Sequence, residues 1–289
     1  FYTLDGSYGK QFRLPFLYKL EVHEVLCMAK SNKGYFIFHM TFKLFHKNTK
    51  IMNLRQSSKR EAKIKMAFQG CAGSGKTYSS LLLAYGLTND WSRIAVIDSE
   101  NGSADLYANL GCYNVLPLSD YSPETYMEAI SICESAGMEV IIIDSISQCW
   151  DYLLDCHANM QGNSFTNWAK ITPRQNAFEQ KIVQSKCQII CTMRTKQDYG
   201  LSEKNGKMVP EKVGLKSIQR DGLDYEFTIV FDIDIKHHVI ASKDRTGLFM
   251  GKPEFTVSPK VGTYILNWCN TTITNTTHYG NSIATPACQ

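Results

Sequence analysis

Gly70-Cys71-Ala72-Gly73-Ser74-Gly75-Lys76-Thr77 fits the pattern GxxxxGK[ST] at every fixed position. Residues 64–69 before it read as a short apolar strand, and residues 77–87 after it read as a helix. That setting makes a glycine-rich octapeptide into a phosphate cradle. Glycines let the backbone curl until successive N–H groups point at phosphate oxygens. The helix that follows adds the positive end of its dipole. Lys76 is placed to reach the outer phosphates of a nucleoside triphosphate, and the Thr77 hydroxyl to ligate Mg²⁺. The expected ligand is ATP with Mg²⁺, held by all eight residues.

Outward from this loop the chain alternates strand and helix. Residues 93–98 (RIAVID) and 139–144 (EVIIID) are apolar strands, as are residues 188–193 (QIICTM). Between them, Ser122-Pro123-Glu124 opens a helix: Ser caps, Pro suits the first turn, and Glu favours the positive end. That helix runs to about residue 136, and Gly137 ends it. Further helices are expected over residues 147–160 and 174–185. Continuous apolar strands spaced by helices mean a parallel sheet covered on both faces. After Met193 the texture changes. Asn205-Gly206 is a two-residue hairpin turn signal within residues 199–213. Residues 227–235 and 237–242 read as two edge strands. The expected class is therefore α/β, with a mostly parallel central sheet, helices on both faces and an antiparallel edge. The chain has no internal repeat.

Two strands end in acids. Asp144 closes VIIID, at the carboxyl end where sites of open α/β sheets lie. Beside a phosphate loop it is a ligand for Mg²⁺, directly or through water. The strand RIAVID ends at Asp98, with Glu100 two residues on. Glu100 is the candidate general base that orients the attacking water, and Asp98 is its rival.

Composition narrows the setting. No stretch approaches the roughly 20 apolar residues that span a bilayer. Ten scattered Cys include no CxxC pair, and one of them lies inside the phosphate loop. This usage reads as buried structural thiols in a reducing, cytoplasmic protein. The first 65 residues carry 13 Lys/Arg against 4 Asp/Glu, the remainder 18 against 23, so global basicity says nothing about nucleic acid. Residues 1–51 crowd apolar and aromatic side chains without clean alternation. They read either as a small β-rich extension or as sequence upstream of a native start at Met52. Residues 52–270 form the expected ATPase domain, and 271–289 a polar, Thr/Asn-rich disordered tail.

In these motifs the chain resembles RecA-type P-loop ATPases. Asp98-Ser99-Glu100, the following Asn101–Tyr107, Leu110-Gly111 and Asp144 match that family's site. More narrowly, residues 163–178 (NSFTNWAKITPRQNAF), 211–227 (EKVGLKSIQRDGLDYEF) and 241–249 (ASKDRTGLF) are similar to the AAA/RecA-like ATP-binding proteins of bacteriophages and prophages. The resemblance implies hydrolysis of ATP to ADP and phosphate in DNA recombination, annealing or repair. It implies single-stranded DNA and phage replication or recombination proteins as partners, and a homo-oligomer, with no membrane. The DNA loops it implies are residues 196–220, with Lys196, Tyr199, Lys204, Lys207, Lys212, Lys216 and Arg220, and residues 162–170, with Phe165 and Trp168. A solvated hairpin and a buried aromatic pair are the alternatives there. No second cation lies within the motif itself, so Lys243 and Arg245 are expected to complete a neighbour's site. The family's polar Asn-Gln sensor is replaced by Thr192-Met193-Arg194, which leaves sensing to Thr192 or Arg194, or to neither. The competing function is a nucleotide-gated binding module, a helicase loader or replication scaffold with little turnover. A small-molecule kinase lacks its lid of clustered Arg.

Overall fold

The computed structural model describes the backbone of residues 24–31, 34–41, 62–204 and 207–271, and the side chains of residues 62–196 and 216–271. The chain divides into two compact units between Gln56 and Ser57. In the first, β1 (Glu24–Ser31) and β2 (Gly34–Thr41) form an antiparallel pair. The start at Met52, the Asn205-Gly206 turn and the tail from residue 272 lie outside the described residues.

The second unit is built on one sheet. Its strands are β3 (Lys65–Gly70), β4 (Ile94–Asp98), β5 (Asn114–Pro117), β6 (Val140–Asp144), β7 (Gln188–Lys204), β9 (Ile229–Ile233) and β10 (Val239–Asp244), in the order β10-β9-β3-β7-β6-β4-β5. From β9 to β5 every pair is parallel, and β10 joins β9 antiparallel. The α/β class with a mostly parallel sheet and an antiparallel edge is what the apolar runs imply. The physical basis is visible in β6, whose five residues are all buried. Val140 and Ile142 pack on one face with Leu81, Leu83 and Leu87 of α1 (Lys76–Thr88). Ile141 and Ile143 pack on the other with Tyr126 and Ile130 of α2 (Pro123–Ser135). A strand covered on both faces has no polar side to alternate with.

Two helices differ from the sequence-based expectation. After α3 (Ser147–Ala158), α4 runs over Ser164–Gln184, ten residues earlier than its expected start at Arg174. Its N-cap Asn163 accepts from the Phe165 N–H, and Pro173 sits inside it. A buried face of Asn167, Ile171, Gln175, Phe178 and Ile182 carries the helical period straight through the proline. Residues 164–170 are thus helix, not loop. Phe165 is 86% exposed there, whereas Trp168 stacks on His157 with ring centroids 4.2 Å apart.

The other helix, α5 (Pro259–Asn270), was not anticipated and packs against α1. The two approach at Gly86 and Gly262. A Cβ on Gly86 would stand 1.9 Å from the Pro259 carbonyl oxygen, and one on Gly262 2.2 Å from that of Leu83. No side chain fits, so Gly262→Ala is expected to destabilise by about 1–3 kcal/mol, the usual scale of overpacking. For a domain of this size that lowers Tm by roughly 3–10 °C. An unchanged melting temperature would mean that the crossing separates freely.

Beyond the sheet, β7 continues and pairs with β8 (Lys207–Ser217) from Thr195 to Lys204, forming a two-stranded antiparallel ribbon. The expected hairpin is this ribbon, although its strand begins within QIICTM instead of after it.

Candidate functional site

The site is assembled where β3, β4 and β6 end and where β7 leaves the sheet. β3 runs into the phosphate loop, and Gly75 at φ 89° caps α1 in a left-handed conformation that glycine adopts without strain. Gly70 is equally constrained: its Cβ would lie 2.5 Å from the Ile233 carbonyl oxygen on β9. Lys76 turns back over the loop and donates to the carbonyls of Gly70 (3.0 Å) and Cys71 (2.9 Å). Burial lowers its pKa, against the raising influence of Asp144 and Glu100.

Asp144 does not neighbour the phosphate loop in the sheet, because β7 lies between β6 and β3. It reaches the site through hydroxyls. Thr77 Oγ1 donates to its Oδ2 at 2.6 Å, and Thr192 Oγ1 on β7 donates to Oδ1. Only 2% of Asp144 is exposed. Burial raises its pKa, opposed by the two hydroxyls, so the carboxylate is short of positive charge. A divalent cation shared with Thr77 would supply that charge.

The rival acids at the end of β4 and just beyond it have different surroundings. Asp98 is buried, and its oxygens accept from the backbone N–H groups of Glu100 (2.6 Å) and Ala104 (3.1 Å). It shapes the turn that carries Glu100. The Glu100 carboxylate faces the cleft, where Arg194 of β7 grips it with two hydrogen bonds, Nε to Oε1 at 2.9 Å and Nη2 to Oε2 at 2.6 Å. Ser145 Oγ adds a third at 2.9 Å. Burial pushes the Glu100 pKa up, but the Arg194 and Ser145 hydrogen bonds outweigh it, and the group stays ionised below the usual carboxylate range.

These groups line one cleft of about 740 Å³, bounded by the loop from Ala72 to Thr77, by Glu100, Asp144 and Arg194, and by Tyr78, Tyr107 and Val257. The volume suits a small-molecule ligand. Three observations match a magnesium nucleotide. Among the described residues no carboxylate pairs with Lys76, so its ammonium is held by neutral carbonyls alone. Thr77 and Asp144 set two hard oxygen donors side by side. The hydroxyls of Ser74, Ser103 and Thr195 are buried with no hydrogen-bond partner among the described residues, and Ser103 and Thr195 stand on the cleft wall.

Lys243 and Arg245 are not brought to this cleft. β10 runs antiparallel to β9, so Lys243 pairs with Val230 and Asp244 with Ile229, at the level of Met66 near the start of β3. That is the end of the sheet away from the phosphates. Lys243 Nζ donates there to the Asp224 carbonyl at 2.6 Å, and Arg245 Nη2 to that of Tyr225 at 3.3 Å. Within this cleft the second cation beside Lys76 is Arg194, which lies outside the phosphate-loop motif.

Sequence reasoning missed His237. The turn between β9 and β10 lies along the phosphate loop, and His237 Nδ1 bonds the Ser74 carbonyl at 2.8 Å. The available signal was the short link between two edge strands, which returns the chain to the phosphate end.

Among the described residues no helix is long and apolar enough to cross a membrane, and no cluster of three or more His, Cys, Asp or Glu could hold a metal ion by itself. A family model described as an AAA domain matches residues 62–268, well over half of the chain. No curated protein matches the sequence.

Proposed function

The chain belongs to the AAA domain family of P-loop ATPases, and from that premise we propose that it hydrolyses ATP to ADP and phosphate in the cleft around Lys76. One observation carries the reading: Lys76, the hydrogen-bonded pair Thr77 and Asp144, and Glu100 face a single cavity.

Loop N–H groups and Lys76 bind the phosphate chain. Thr77 and Asp144 would hold magnesium, which supplies positive charge at the outer phosphates. Glu100 accepts a proton from the attacking water as the water oxygen bonds to the γ-phosphorus and the bond to the bridging oxygen breaks. Arg194 keeps Glu100 charged and positioned, and its guanidinium lines the same cleft as Lys76. Tyr78 and Tyr107, with ring centroids 5.6 Å apart, give the cleft an aromatic wall suited to the base.

The wider role we propose is that of a RecA-like ATPase of phage type acting on single-stranded DNA in recombination, annealing or repair. The likeness of residues 163–178, 211–227 and 241–249 to phage-encoded ATP-binding proteins supports it. So does the placement of the ribbon. Its root residues Arg194, Thr195 and Ile218 line the cleft, and the Ile218 N–H donates to the Arg194 carbonyl at 2.7 Å. Its strands carry Lys196, Lys204, Lys207, Lys212 and Lys216 beside Tyr199, a composition that suits a phosphate track with base stacking. A strand bound along the ribbon would thereby act on Arg194. The bidentate grip of Arg194 on Glu100 also favours a second reading, a nucleotide-gated binding module with little turnover.

The test is phosphate release from ATP, with and without single-stranded DNA, at two salt concentrations. Turnover stimulated by DNA, with a smaller effect at the higher salt, is the expected result. Tight nucleotide binding with no phosphate release under any condition would replace the ATPase with the gated module.

A further inference from the structure

Asn101 and Gly102 stand inside a turn that is clamped at both ends. The Asp98 carboxylate accepts from the Glu100 N–H at 2.6 Å and from the Ala104 N–H at 3.1 Å, so one side chain ties down the backbone on either side of them. Between these ties Asn101 adopts φ 54° and Gly102 φ 83°, two consecutive left-handed residues. Asn101 is exposed. Among the described residues no hydrogen bond engages its side-chain amide or the Gly102 N–H. The space around Gly102 is open, since a Cβ there would meet only Asp105 Oδ2, at 3.8 Å.

Asn is a chemically labile residue, and the residue after it governs how labile. The backbone nitrogen that follows can close a five-membered ring on the Asn Cγ. A Cβ on the following residue crowds that approach, and glycine has none. Among the described residues Asn101 is the one Asn followed by Gly. Asn163, which precedes Ser164, is held instead, because its Oδ1 accepts from the Phe165 N–H at 2.8 Å. We propose that Asn101 is a site of spontaneous deamidation and isoaspartate formation, and that the modification disables Glu100.

The Gly102 nitrogen, having lost its proton to hydroxide, bonds to Asn101 Cγ. The Cγ–Nδ2 bond breaks and ammonia leaves, which forms a succinimide. Water then opens the ring. Cleavage of the new N–Cγ bond gives aspartate, and cleavage of the original backbone C–N bond gives isoaspartate. The isoaspartate main chain runs through Cβ and Cγ and is one carbon longer. With both sides of the turn held by Asp98, the added carbon must displace the turn, and Glu100 is the residue next to the altered link. Its carboxylate is positioned by two hydrogen bonds from Arg194 and one from Ser145, all between 2.6 and 2.9 Å, contacts that such a displacement breaks. The loss of activity rests on the reading of Glu100 as the general base, whereas the modification itself does not.

The experiment ages the full chain in mildly alkaline buffer, as wild type and as Asn101→Gly. Glycine keeps the left-handed backbone and has no amide to lose. A denatured wild-type sample aged in parallel gives the intrinsic rate. Peptide mass mapping separates residue 101 from the second Asn-Gly pair at 205–206. An isoaspartyl-specific carboxyl methyltransferase reports the new free α-carboxylate, and ATP turnover is measured on the same samples. Folded wild type is expected to gain about one dalton at residue 101, NH exchanged for O, at a rate proportional to hydroxide concentration. It should accept methyl groups there and lose turnover in proportion to the isoaspartyl fraction, while Asn101→Gly keeps the turnover it started with. Conversion of Asn101 in denaturant but not in the folded chain would overturn the inference. So would conversion with no greater loss of turnover than Asn101→Gly shows. A wild type that hydrolyses no ATP before ageing would instead overturn the ATPase reading, and the mass and methylation readouts would still decide the modification.

Discussion

Glu100→Gln is expected to leave ATP affinity within a few-fold of wild type and to lower turnover by about 10²-fold or more, the scale of a lost general base. The amide is nearly isosteric, and its oxygen can still accept from Ser145 and from Arg194 Nε, while the Arg194 Nη2 bond is lost because an amide nitrogen only donates. What also disappears is a group that can take a proton. Asp98→Asn separates the two rival acids. The Asp98 oxygens hold the N–H groups of Glu100 and Ala104, so that variant is expected to lower the melting temperature and to disturb the turn, a loss that Glu100→Gln should not share. Single-turnover phosphate release beside calorimetric ATP binding checks both. Full activity in Glu100→Gln, with activity lost in a folded Asp98→Asn, would transfer the base to Asp98. Arg194→Ala supplies a second arm. It frees Glu100 but removes a cation from the cleft, so turnover should fall even though the base is released.

Lys76→Ala is expected to weaken ATP binding by at least about 10²-fold, the combined effect of several charge-assisted hydrogen bonds to phosphate. The fold should survive. Among the described residues the Lys76 ammonium bonds only the Gly70 and Cys71 carbonyls, so truncation removes no packing from the two cores. The melting temperature without nucleotide should stay close to that of wild type, while stabilisation by added ATP vanishes. Unchanged affinity by calorimetry would sink the phosphate-loop assignment and the proposed function with it.

The features legible in the sequence are local ones. The phosphate loop is eight consecutive residues with glycines where the backbone must curl. The Asp144 strand declares itself by an unbroken apolar run. Ser122-Pro123 marks a helix start, and in the structure the Ser122 hydroxyl accepts from the Thr125 N–H. The same signal at Ser258-Pro259 opens α5 and was there to be read. β5 was harder, being a four-residue, partly exposed edge strand ending in Pro117, with too little burial to shape its composition. The start of α4 was not legible locally, because Pro173 interrupts its helical pattern, whereas burial of five apolar or amide side chains on one face outweighs the one lost hydrogen bond in the folded chain.

The sequence by itself determined the loop chemistry, the layered α/β class and which strands end in acids, since each depends on side chains within a few residues of one another. Only the tertiary structure decided which distant groups meet. Arg194 grips a glutamate 94 positions away, and His237 bonds a loop 163 positions away. Strand order and direction settle such encounters. Placing β7 between β3 and β6 brings Thr192 and Arg194 to the phosphate end, and running β10 antiparallel to β9 carries Lys243 and Arg245 to the other. Those choices arise from packing two faces of one sheet at once, a balance summed over the whole domain that no short segment encodes.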